Sequence, residues 1–192
     1  MIETLQDFLT DLGLDSHYEN NVLQTLIEGD SKYIRDIRMN FKGFLKSKDL
    51  NEKEVYLLST AIASNHSNRV LTVAFQEKAK QAGASAAEIA DAISCASLLR
   101  TNNVLYRFRH FAGKESYEQM RAGLRMNIML NPVLGKEFFE LVSLAVSAVN
   151  GCEQCVKSHE ASLVSLGCNE SRIFEAIKLS SVICSMEVLF PN

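Results

Sequence analysis

Two stretches of this chain spell the same helical unit 84 residues apart, and that constrains its fold more than any other feature. With Gly83 set over Gly167, Leu57, Ser59 and Ala61 fall on Leu141, Ser143 and Ala145. In the same register Ile89, Ala92, Ile93 and Ser97 fall on Ile173, Ala176, Ile177 and Ser181, and Val104-Leu105 falls on Val188-Leu189. The matches are small or apolar, the kind of residue that lets a repeated unit pack against its neighbours. Two copies imply a pseudo-symmetric domain rather than a long solenoid. The expected organisation is a single all-helical domain over residues 1–192, with copy one at about 50–110 and copy two at about 134–192.

Apolar spacing is helical throughout. Leu5, Phe8, Leu9 and Leu12 follow i, i+3, i+4, i+7, the stripe of an amphipathic helix. Asn51 with Glu54, and Ser85 with Glu88, read as capping boxes that open two further helices. Gly83 and Gly167 stand where a helix end takes a left-handed residue, and Pro132 marks the start of a helix running toward Val149. No segment alternates apolar and polar residues long enough for a sheet. The fold class is therefore all-α, about eight helices with short connections.

Composition narrows the function classes. A net charge of −3 offers no surface for a polyanion, so nucleic acid is excluded as a partner. The acidic, periodic N-terminus lacks the basic and apolar regions of a signal peptide, and no run approaches the roughly 18 apolar residues of a membrane span. Five cysteines at irregular spacing argue against a secreted disulfide framework. A cytoplasmic protein is expected, in which a paired C-x-x-C signals redox chemistry or metal.

That pair lies in Asn150-Gly-Cys-Glu-Gln-Cys-Val-Lys-Ser-His159. Asn150-Gly151 breaks a helix, so Cys152 is expected in the first turn of the next one. Spacings of three and four put Cys152, Cys155 and His159 on one helical face, with the sulfurs in disulfide reach. The helix N-terminus favours thiolate, and an imidazole can take the thiol proton. A thiolate attacks peroxides and disulfides, and a second thiol resolves the product. Glu140, on the preceding helix, is placed to orient a thiol, a water or His159. The repeat supplies an internal control: where copy two has Glu140, Cys152, Cys155 and His159, copy one has Tyr56, Asn68, Leu71 and Phe75. Residues needed only for packing would be expected in both copies.

The segment from Glu140 through Cys152, Cys155 and His159 to Glu160 resembles the AhpD alkylhydroperoxidase family of the carboxymuconolactone decarboxylase-like fold, in residue types and in spacing. The likeness extends over most of the chain, including the repeat and Asn102 to Arg109. It implies an antioxidant peroxidase that uses no cofactor or metal and assembles as a homotrimer or larger ring. It implies that Cys155 is the peroxidatic residue, that Cys152 donates the proton and resolves, and that Glu140 and His159 form the proton relay. Helix position alone favours Cys152 as the more acidic thiol. Family members are re-reduced by a dihydrolipoyl-type or other dithiol system and can pass electrons to a partner peroxiredoxin. Close relatives carry His immediately before the second cysteine, where this chain has Gln154; an amide hydrogen-bonds but does not titrate.

Two other readings fit the same residues: a disulfide-relay adaptor whose substrate is a protein disulfide, and a non-enzymatic helical oligomer with a zinc-bound C-x-x-C/His site. Cys95, Cys168 and Cys184 read as small core residues, and His17, His66 and His110 as surface or satisfied histidines. Arg107, Arg109 and His110 read as a solvated basic face.

Overall fold

The computed structural model describes residues 2–192, and among them every regular element is helical. Ten α-helices follow in order: α1 Ile2–Leu12, α2 Asn21–Glu28, α3 Tyr33–Phe44, α4 Glu52–Asn65, α5 Arg69–Gln81, α6 Ala86–Ala112, α7 Glu115–Gln119, α8 Lys136–Val149, α9 Glu153–Ser165 and α10 Glu170–Leu189. A single 3-10 turn, Asn127–Met129, interrupts the connection between α7 and α8. The count exceeds the expected eight because α2 and α7 are short. No described helix is long and apolar enough to cross a membrane.

Helices α8, α9 and α10 begin at residues 136, 153 and 170, each 84 residues after the starts of α4, α5 and α6 at 52, 69 and 86. Local chemistry repeats with the helices. Gly83 and Gly167 hold φ of +88° and +80°, the left-handed conformation that ends a helix without a Cβ clash. Both expected capping boxes form, at Asn51/Glu54 and Ser85/Glu88. Lys53 Nζ lies 2.7 Å from Glu88 Oε1, joining α4 to α6, and the equivalent pair in the second copy, Glu137 and Arg172, meets at 2.8 Å with the charges exchanged. Arg172 also reaches across to Glu54 at 2.6 Å, so one guanidinium ties both copies together.

Two sequence expectations are corrected. Pro132 does not open α8: the chain turns through Gly135 at φ +78°, and the helix starts at Lys136. The loop before it is held instead by Asp91, whose carboxylate accepts from the Leu134 amide at 3.0 Å. Nor is Arg107–His110 a solvated basic face. Arg109 is buried with its guanidinium donating to the Met120 carbonyl, and Arg107 donates to the Asn150 carbonyl at 2.6 Å. Both arginines fasten connecting segments to α6.

The core is continuous through both copies, and the N-terminal helices pack across both, α1 on α5 and α2 and α3 on α10. Phe8 of α1 packs on Phe190 with ring centroids 5.9 Å apart, and Phe41 of α3 packs on Phe75 at 5.7 Å and on Tyr56 at 6.3 Å. All four phenylalanines are fully buried. Phe41→Ala is expected to destabilise the fold by about 3–5 kcal/mol through loss of transfer energy and an uncollapsed cavity; urea unfolding measures it, and a loss below 1 kcal/mol would show that α3 is not part of the cooperative core.

Candidate active site

The residues that distinguish the two copies converge in the second. Glu140 points from the middle of α8 to His159 of α9, whose Nδ1 lies 2.7 Å from the carboxylate Oε2. Both side chains are buried. The other oxygen, Oε1, is 3.3 Å from Lys136 Nζ, one turn back on α8, and the same ammonium donates to the Met129 carbonyl at 3.2 Å. Burial alone would push the Glu140 carboxyl up. The hydrogen bond and charge of His159, aided by Lys136, outweigh it and hold the carboxyl below its ordinary value.

The two cysteines are joined in a disulfide across the start of α9, with Cα atoms 5.3 Å apart. Cys152 is not in the first turn, as the spacing suggests, but is the N-cap residue just before it; Cys155 is the third residue of the helix. The approach is a tight reversal. Gly151 takes φ +69°, and the Cys152 amide donates back to the Ser147 carbonyl at 3.0 Å. Copy one makes the same reversal through Ser67, and there Asn68 caps α5 by accepting from the Leu71 amide at 3.0 Å. Cys152 occupies the equivalent position and makes no side-chain cap bond.

Cys155, Gln154, Ser158 and His159 form one wall of a cavity of about 400 Å³; Leu99, Asn102 and Tyr106 of α6 form another, and Met126 and Met129 roof it. Cys155 is 6% exposed and Cys152 only 1%, so the cavity presents Cys155 and leaves Cys152 behind it. Helix position does not favour Cys152 after all: Cys152 precedes the helix, and Cys155 sits among the unpaired amides of its first turn. Asn102 donates from Nδ2 to the Met126 sulfur at 3.2 Å, while its Oδ1 is buried without a partner at the cavity wall.

Sequence reasoning brought forward Glu140, Cys152, Cys155 and His159, and these four do gather. It missed Lys136, Asn102, Tyr106, Met126 and Met129. Two left a signal: Lys136 stands one turn before Glu140, and Asn102 is a polar residue where the repeat has Met186. The roofing methionines left none, because they lie outside the repeat. The remaining cysteines are elsewhere. Burial pushes the Cys95 thiol up to about 12, which keeps it protonated and inert, and burial likewise raises Cys168.

Known proteins with the same sequence character share this region. Residues 115–189, from α7 to the end of α10, match the model of the carboxymuconolactone decarboxylase family. A protein named alkyl hydroperoxide reductase AhpD from Anaeromyxobacter sp. (strain K) is 40% identical over 149 residues, covering 78% of this chain and 80% of its own. Proteins of the same name from Koribacter versatilis and Streptomyces avermitilis are 38% and 42% identical, covering 88% and 79% of this chain and 87% and 85% of theirs. The chain belongs to the AhpD family. The family model covers the second copy alone, whereas the likeness to AhpD relatives runs through most of both.

Two outcomes test this geometry. In the AhpD-family chain, Glu140 adds stability that is complete above its ordinary value of 4.5 and is lost as pH falls through its lower folded value. The Glu140→Gln variant should lack that part of the acid dependence, as read from urea midpoints against pH; parallel curves would refute the Glu140–His159 linkage. Second, in reduced protein Cys152→Ser should restore the missing cap and gain up to about 1 kcal/mol over reduced parent, again by urea midpoint. A loss there would show that the hydroxyl does not reach the first-turn amides.

Proposed function

We propose that this chain is an alkyl hydroperoxide reductase, an antioxidant oxidoreductase that works through the Cys155/Cys152 pair. The observation carrying the proposal is the cavity, which offers one sulfur, that of Cys155, beside an imidazole held by a buried carboxylate. In the reduced state the Cys155 thiolate attacks the terminal peroxide oxygen, the O–O bond breaks, and the alcohol leaves with a proton. Because Glu140 accepts from Nδ1–H, Nε2 of His159 is the ring nitrogen left to exchange that proton with the cavity. Cys155 becomes a sulfenic acid. Cys152 displaces water from it and closes the disulfide, a reading supported by the bonded Cys152–Cys155 pair. An external dithiol then supplies two electrons and two protons.

Burial of both sulfurs selects between rival substrates. A small organic peroxide enters a cavity of about 400 Å³, but the folded face of a protein disulfide cannot bring its sulfur to one that is 6% exposed. The relay-adaptor reading is disfavoured on that ground, and so is direct electron transfer to a partner peroxiredoxin without movement of the roof. The same restriction favours a slender reductant, a dihydrolipoyl-type or comparable dithiol arm. The zinc reading finds no support at this site, since each sulfur is bonded to the other and His159 Nδ1 is engaged by Glu140. Assembly as a homotrimer or larger ring fits the exposed Val104, Phe108 and Phe111 on the outer end of α6, an apolar surface that neighbouring copies would cover. The division into one domain of two copies rests on the recurrence of helix starts and of the exchanged ion pair.

Reduced protein mixed with cumene or tert-butyl hydroperoxide should lose thiols and close the disulfide. Cys155→Ser should slow peroxide consumption by at least about 10²-fold, and Glu140→Gln by roughly 10²-fold. Cys152→Ser should stop at a sulfenic acid that a dimedone-type reagent traps. Peroxide consumption by Cys155→Ser at the parent rate would overturn the proposal.

A further inference from the structure

His66 caps the C-terminal end of α4, and Cys184 and Glu187 stand three residues apart on α10, on one face of that helix. One nitrogen, one sulfur and one carboxylate oxygen from these three residues all lie within 4.8 Å of one another. His66 Nδ1 is paired with Glu187 Oε2, while Glu187 Oε1 is buried with no hydrogen-bond partner. The Glu187 side chain is 11% exposed, so water does little to satisfy that oxygen, whereas His66 is 37% exposed and keeps the cluster open on one side. None of the three residues lines the Cys155 cavity.

The pseudo-symmetry shows how a finished version of this junction looks. Shifted by 84 residues, His66, Cys184 and Glu187 correspond to Asn150, Arg100 and Asn103. There Asn150 caps α8 and donates to Asn103 at 2.9 Å, Asn103 donates to Ser147 at 3.0 Å, and the Arg100 guanidinium donates to the Asn65 carbonyl. Two amides complete one junction from within the chain, while the Arg100 cation serves the carbonyl at the end of α4, beside His66. The other contains a carboxylate, a thiol and an imidazole, with no lysine or arginine bonded to any of them. The group left without a partner there is Glu187 Oε1.

We propose that His66, Cys184 and Glu187 form a three-ligand site for a borderline transition-metal dication of the zinc type. Nitrogen, sulfur and oxygen donors together match that class better than magnesium or calcium, which take oxygen alone. At bond lengths of about 2.0–2.3 Å a tetrahedral ion keeps its ligands roughly 3.5 Å apart, so small side-chain rotations close the present spread. Glu187 Oε1 gains the partner it lacks, the Cys184 thiol gives up its proton to solvent on binding, and water takes the fourth position on the His66 side.

The test uses the full chain with the Cys152–Cys155 disulfide intact, so that neither of those sulfurs can ligate, and cobalt(II) as a spectroscopic probe. The expected result is one cobalt per chain with tetrahedral visible bands and a near-ultraviolet thiolate-to-cobalt band. Cys184→Ser should abolish the thiolate band. His66→Asn, which installs the residue of the equivalent position, should weaken binding at least about tenfold, or 1.4 kcal/mol. Zinc should compete for the cobalt and raise the melting temperature of the parent. Hydroperoxide consumption in both variants should match the parent, so failure here is separable from failure of the reductase reading. Absence of a thiolate band in the parent, or a band that survives Cys184→Ser and disappears in Cys168→Ser, would overturn the proposal.

Discussion

A unit of three helices has one inner face that it cannot cover by itself, and the two copies in this chain solve that problem differently. In copy one the face is closed by α1 and α3. Tyr56, Phe75 and Phe190 lie under Phe8 and Phe41, and the stack is dry. The equivalent places hold Glu140 and His159 of copy two with Tyr106 of α6, and no N-terminal helix lies above them. The result is a cavity roofed only by the two methionines of the α7–α8 connection. The candidate site lies where one copy's share of core is withheld, beside the copy that is filled.

Leaving a face open has a cost that the local structure makes visible. Cys152 replaces the cap that Asn68 provides in copy one, and substitutions of such caps typically cost about 1 kcal/mol. A buried carboxylate and imidazole replace a tyrosine and a phenylalanine, which requires that each satisfy the other. Compensation lies nearby. Arg107 secures the carbonyl at the end of α8, Asp91 secures the loop ahead of it, and Arg172 binds α10 to Glu54 and Glu137. These contacts hold the segments around the candidate site, and all three link parts of the chain far apart in sequence.

That separation explains which features were legible in the chain. The 84-residue offset, both capping boxes and the α1 stripe depend on short-range periodicity, which sequence displays directly. The Glu140–His159 pairing is within reach because the two residues occupy consecutive helices of one copy. Pro132 misled, since a proline suits a first helical turn but equally suits the loop before Gly135, and only the Asp91 contact from α6 decides between them. The arginines of α6 misled for a similar reason: their charges read as solvated until the segments they hold are known. Nothing in α2 or α3 discloses that α10 is the helix they pack on. His66 seemed solitary because its partners lie about 120 residues further on.

Gln154 shows how the open face divides the work of proton transfer. It lines the cavity next to Cys155, where an amide can donate to a peroxide oxygen or a developing alkoxide but can neither accept nor release a proton near neutral pH. In the proposed cycle this leaves His159 and, through it, Glu140 to carry the protons. Lys136 adds to that dependence, because its ammonium touches both the Glu140 carboxylate and the carbonyl of Met129 in the roof. Lys136 thereby joins the segment that roofs the cavity to the carboxylate that holds His159.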